Sequence, residues 1–103
     1  MAKGVMIVFS NPVEAGREDD YNEWYTNVHV PELLQLDGFV AARRFRVLDA
    51  EPEQRFGAVY ELEADDLTSI MDVIGKAVAD GNIHMTDAIE MEPPAVVRLC
   101  EEL

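Results

Sequence analysis

Apolar side chains alternate along residues 3 to 10, and they fall on both faces: Val5, Ile7 and Phe9 on one, Met6 and Val8 on the other. A run patterned like that predicts a strand buried on two sides. Asn11-Pro12 ends it, because proline has no amide to give a ladder, and a polar loop containing Gly16 follows. From Tyr21 the period changes to that of a helix. Tyr21, Trp24, Tyr25 and Val28 recur at i, i+3, i+4 and i+7, with Asn22, Glu23, Thr26 and Asn27 opposite, and Glu18, Asp19 and Asp20 suit the first turn. Pro31 lacks the donor for the carbonyl four residues back, so a kink or restart is expected there, just after His29.

Asp37-Gly38 reads as a stop and turn, Phe39 to Leu48 as a second strand, residues 49 to 54 with Pro52 as a hairpin-length loop, and Arg55 to Glu63 as a third strand. On the third strand Phe56, Ala58, Tyr60 and Leu62 share one face. Asp65 or Asp66 caps a second helix whose stripe is Leu67, Ile70, Met71, Ile74, Ala77 and Val78, and Gly81 ends it. A long connection over residues 82 to 94, with room for one turn between Thr86 and Met91, leads to a last strand from Ala95 to Cys100. The order β-α-β-β-α-β predicts an α+β, ferredoxin-like domain over residues 1–103. Its four-stranded antiparallel sheet carries both helices on one face. Because the first strand is apolar on both sides, the other sheet face needs a cover, and a second copy packed sheet to sheet is the expected one.

The charge narrows the partners. Eight Lys and Arg against 21 Asp and Glu give a net charge of −13, a field that repels nucleic acid and anionic membranes. The apolar share of 49% supports a core and argues against disorder. Cys100 is the single cysteine, so no intrachain disulfide forms, and the run from Val5 to Phe9 is too short for a signal-peptide core. A cytoplasmic location is the expectation.

Glycine-rich phosphate loops, C-x-x-C, H-E-x-x-H and G-x-S-x-G are all missing from the sequence, so neither a cofactor nor a metal is expected. His29 is the sharpest candidate for chemistry. It lies one turn past Tyr25 at a helix break, where the helix end favours its protonated form and burial beside Trp24 the neutral one. Tyr21, Trp24 and Tyr25 read either as core aromatics or as pocket residues whose hydroxyls orient a carbonyl or phenol. Strict alternation places Arg43 with Phe39, Phe45 and Val47, and Arg44 and Arg46 with Val40 and Ala42. If the first of these faces looks toward the helices, Arg43 is the residue to stabilise an enolate oxygen. His84, in the long connection, is a second candidate, and Phe39 and Tyr60 complete the expected substrate contacts.

Trp24-Tyr25, His29-x-Pro31, Leu33-Leu34, Gly38-Phe39 and the Arg44-Phe45 pair resemble the EthD-like members of the dimeric α+β barrel superfamily, most specifically over residues 21 to 47. The resemblance implies a homodimeric barrel with a cleft between helices and sheet. It also raises His29 as an acid or base, with Trp24, Tyr25, Pro31, Gly38 and Phe39 at matching positions. The expected activity is that of a cofactor-independent isomerase, cyclase or decarboxylase moving a proton on an aromatic, lactone or polyketide-like compound. The alternatives are a non-catalytic dimer that binds a small apolar ligand, and a haem-binding barrel or monooxygenase using His29 or His84.

Overall fold

The structure is a computed structural model that describes residues 1–49 and 55–103. Its strands are β1 (Ala2–Ser10), β2 (Phe39–Arg46), β3 (Phe56–Ala64) and β4 (Val96–Glu101), in the sheet order β2-β3-β1-β4 with every pairing antiparallel. The helical segments are α1 (Glu18–Trp24), a π-helical turn (Tyr25–His29), α2 (Val30–Leu34) and α3 (Ile70–Ala79), with short 3-10 turns at Ala15–Arg17 and Leu67–Ser69 leading into α1 and α3. Residues of α1, the π turn, α2 and α3 enclose one cleft with Met6 and Val8 of β1, so both helical arms lie on one face of the sheet, as the element order predicts. The expected loop of residues 49 to 54 lies outside the described residues beyond Asp49.

The break expected at Pro31 takes a specific form. Pro31 offers no N–H to the Asn27 carbonyl, and the helix widens by one residue instead of stopping: the Val30 amide donates to the Tyr25 carbonyl, closing a π turn. The chain stays helical on both sides, so His29 sits inside a helix and not at its end. Phe39 sits at the start of β2, after Gly38 has turned the chain with φ +93°, a conformation glycine adopts without the steric cost other residues meet.

Ladder pairing fixes which side chains face the helices. Along β1 these are Met6, Val8 and Ser10. Along β3 they are Phe56, Ala58, Tyr60 and Leu62, each buried. Between Phe39 and Ala41 the register slips: Phe39 pairs with Leu62 and Ala41 with Glu61, which leaves Val40 as a bulge. The bulge inverts the alternation beyond it. Phe39 faces the helices, yet Ala42, Arg44 and Arg46 share that side, and Arg43 pairs with Val59 on the opposite, open face. The expectation that Arg43 points toward His29 is therefore incorrect.

The open face carries Val5, Ile7 and Phe9 of β1, Val59 of β3 and Phe45 of β2, with Phe9 lying over Gly57. On the helix side, Tyr21 is fully buried and its hydroxyl meets Ser10 Oγ at 2.5 Å. Tyr21→Phe strands a buried serine hydroxyl, which costs about 1–2 kcal/mol; the expected result is a lower urea midpoint with an unchanged slope, measured by circular dichroism.

Candidate functional site

A cleft of about 320 Å³ opens between the helices and the sheet. Its floor is Met6 and Val8 of β1 with Val97 of β4; one wall is Trp24, Tyr25, His29 and Leu33; the other is Met71, Ile74 and Val78 of α3. The connection over residues 82–94 contributes Ile83, Met85, Ile89 and Met91 at the mouth. Met71 and Val78 belong to the stripe read as core, and they are instead about half exposed, because the cleft keeps α3 from closing onto α1 at that level. The expected turn between Thr86 and Met91 is not helical: Pro12 and Ile89 form a β-bridge, and the Val13 amide donates to the Ala88 carbonyl at 2.6 Å.

His29 is the ionisable group set into the aromatic wall. Its ring stacks on Trp24 with centroids 4.6 Å apart and 22° between planes, and meets Tyr25 edge to face at 5.0 Å. The Nδ1 atom is buried without a hydrogen-bond partner. Burial lowers its pKa from 6.5 to about 4, with the Glu32 carboxylate opposing and the Arg44 cation reinforcing the fall. The contest between helix end and burial is thus decided for burial, since the π turn removes the helix end. At neutral pH the imidazole is a free base.

That shift has a sign for stability. The unfolded chain protonates His29 near 6.5 and the folded chain only near 4, so the contribution of this residue is intact above about pH 6.5 and is lost as pH falls toward 4. The loss amounts to roughly 3 kcal/mol at most. Urea unfolding followed between neutral pH and pH 4.5 is expected to weaken less steeply in His29→Gln than in the parent chain; equal slopes would mean the imidazole is not desolvated.

Tyr25 and Tyr60 are both buried, and the Tyr60 hydroxyl donates to that of Tyr25 across a long 3.4 Å contact. Desolvation pushes the Tyr60 phenol up to about 12 and Tyr25 well above its usual range, so both stay protonated at neutral pH. Tyr25 lines the cleft. Tyr21 and Tyr60 do not: their hydroxyls are engaged beneath it, and Phe39 packs on the Tyr60 ring at 5.8 Å.

His84 is placed differently from the expectation. Its ring is exposed and lies outside the cleft, with Nδ1 held by Glu32 Oε2, while its amide donates to Glu32 Oε1 at 2.8 Å and its carbonyl accepts from Trp24 Nε1 at 2.9 Å. These bonds lower the Glu32 pKa, the backbone donor contributing most. His84 therefore pins the connection to α2 and to Trp24, setting Ile83 and Met85 into the cleft mouth. Glu32 was not legible as the other half of this clamp, because a carboxylate just after Pro31 reads as a first-turn dipole partner.

Side chains that were not read as site residues in the sequence also shape the site. Met71, Met85 and Met91 join Met6 there, so four of the five methionines of the chain line the cleft. Arg44, brought to the helix side by the bulge, stands 4.4 Å above the centre of the Tyr25 ring.

No curated protein matches the chain in sequence. Its fold is shared with solved structures. A crystal structure of an ethyl tert-butyl ether D (EthD) family protein from Bacillus halodurans superposes with a TM-score of 0.64 at 18% identity, covering 100% of both chains. A dimeric ferredoxin-like protein from an uncultured marine organism superposes with a TM-score of 0.55 at 15% identity, covering 100% of this chain and 97% of the other. The resemblance read from residues 21 to 47 is thereby borne out as a likeness of fold. Residues 6–79 match a family described as a domain of unknown function, DUF4286, and with that match over most of its length the chain belongs to that family, carrying the ferredoxin-like fold also seen in an EthD family protein.

Proposed function

We propose that this protein is a cofactor-independent enzyme that moves a proton on a small apolar carbonyl compound, with His29 as the base. The observation that carries the reading is an unprotonated imidazole with an unpartnered Nδ1, set in the wall of an apolar cleft whose volume suits a metabolite-sized ligand. An aromatic ketone, lactone or polyketide-like compound suits a cleft lined by Trp24, Tyr25 and four thioethers, because these surfaces are polarisable and apolar. His29 takes a proton from the carbon next to the carbonyl and returns it at the neighbouring position, which is an isomerisation. If the carbanion attacks a second carbonyl and the proton is returned to the resulting alkoxide, the reaction is a cyclisation; in a decarboxylation His29 instead takes the carboxyl proton, carbon dioxide leaves its bonding pair on the carbon, and the proton is returned there. The Tyr25 phenol, neutral at pH 7, is the group available to orient the carbonyl oxygen.

The direct test is deuterium uptake. Beginning with β-tetralone and extending to lactones and phenols, the protein in D2O is expected to accelerate loss of the α-hydrogen signal in proton NMR. The second reading, binding without turnover, is favoured by the engagement of the Tyr21 and Tyr60 hydroxyls with protein partners. Saturable binding across the panel with no exchange above background would establish that reading instead.

The working unit we propose is a homodimer closed over the open sheet face, in the cytoplasm. Val5, Ile7, Phe9 and Val59 remain partly exposed there, and one of the solved structures with this fold is described as dimeric.

A further inference from the structure

Among the described residues Arg44 is a partly buried cation without a counter-charge, in a chain with a net charge of −13. Arg17, Arg46, Arg55 and Lys76 each have a carboxylate within 3.3 Å, and Lys3 has Glu63 at 3.6 Å. Among the described residues Arg44 has none. Arg43 and Arg98 also lack one, but both are exposed and keep their hydration. Arg44 is partly buried: its guanidinium lies 4.4 Å from the Tyr25 ring centre and 5.5 Å from that of Tyr21, Nη1 donates to Thr26 Oγ1 at 3.2 Å, and Nε is buried without an acceptor. The two ring faces repay part of the lost hydration, on the order of 1–2 kcal/mol. The rest of the cost stands while no anion is present.

Beside this guanidinium, at the β2 edge below α1, is a hollow of about 220 Å³ lined by Asn22, Arg44, Phe45, Arg46 and Phe56. Arg46 is held to one side by Glu18, 3.3 Å away, which leaves Arg44 as the uncommitted charge and the Asn22 amide as a neutral donor. We propose that this hollow is a recognition site for a small aryl carboxylate, whose carboxyl group is bound by Arg44 with Asn22 and whose ring rests against Phe56. The Glu18 carboxylate nearby disfavours a dianion, so phosphate is the weaker ligand. The site shares no lining residue with the cleft and does not depend on His29 being a base.

The test is an NMR titration of the intact protein, labelled with nitrogen-15, using sodium benzoate and sodium phosphate at matched ionic strength. Benzoate is expected to give saturable shifts at Arg44 Nε–H and the Asn22 side-chain amide with millimolar or tighter affinity, and phosphate to bind more weakly. Arg44→Gln should weaken benzoate by about tenfold or more, and Arg44→Lys by a smaller factor, since it keeps charge and loses the fork. If Arg44→Gln fails to fold, Arg44→Lys together with Asn22→Ala supplies the comparison. His29→Ala should bind benzoate as the parent does, which separates this site from the proposed reaction. Absence of saturable shifts, or undiminished binding in the Arg44 variants, would overturn the proposal; phosphate binding as tightly as benzoate would overturn the assignment to an aryl carboxylate.

Discussion

Replacing His29 by alanine is expected to reduce α-hydrogen exchange by about 10²- to 10⁴-fold, the usual worth of a positioned general base. The expectation follows from what else the cleft contains. Its walls are thioethers, aliphatic side chains and aromatic rings. Tyr25 is held protonated by burial, and Glu90, the carboxylate among the lining residues, lies on the connecting segment and not in the Trp24–Tyr25–His29 wall. With the imidazole gone no comparable base remains against that wall, whereas the ligand still has the apolar surface that holds it. The variant should therefore keep its affinity for β-tetralone while losing exchange, so that the loss appears in kcat and not in KM. His29→Gln preserves the ring volume approximately and the capacity for a hydrogen bond but not the proton affinity, and it should be equally inactive. Exchange at the parental rate in either variant would reject His29 as the base.

Ile7→Glu is expected to have the second large effect, on assembly. Ile7 lies in the middle of the open face, paired with Val59 on one side and Arg98 on the other. A stable interface buries on the order of 1,600 Å² in total, and this face offers its apolar surface around β1 and β3. A carboxylate set there against a second sheet loses its water, and the Arg98 guanidinium opposite repays only part of that loss, since the pair would itself have to be buried; the net cost is several kcal/mol. Dissociation should rise by about a hundredfold or more, and light scattering should show a parent dimer becoming a monomer of unchanged secondary structure. A parent that is already monomeric at micromolar concentration would remove the dimer from the account.

Most of the architecture was legible because hydrophobic period and turn chemistry agree along the chain. The alternation of β1, the aromatic stripe from Tyr21 to Val28, the Gly38 turn and the Asp66 cap each lead to the element observed. The site was legible only in part. The place of His29 in the cleft wall was legible because it continues the stripe beside Trp24 and Tyr25, and its neutral state was not, because Pro31 read as the end of a helix when the chain in fact absorbs it in a π turn. Arg43 was chosen over Arg44 for one reason: a bulge at Val40 shifts the phase of β2 by one residue, and no pattern of polar and apolar side chains announces it. Phe45 adds to the difficulty, since a half-exposed phenylalanine on the open face counts, in sequence, as a vote for the core. The exposed Met71 and Val78 were hidden similarly, because a helix facing a cleft has the same periodicity as one facing a filled core.

The proposed reaction rests on one physical claim, that the fold keeps an unprotonated imidazole in the wall of an apolar cleft at neutral pH. A base whose proton affinity has fallen to about 4 stays competent well into acid, where an ordinary histidine is protonated and silent. The dependence of exchange on pH tests this most directly. The α-hydrogen exchange of β-tetralone, measured by NMR from pH 8 down to the acid edge of folding, is expected to hold its rate through about pH 6 and to be half lost only near 4. A profile that instead falls by half near pH 6.5, or one identical in His29→Ala, would contradict the account.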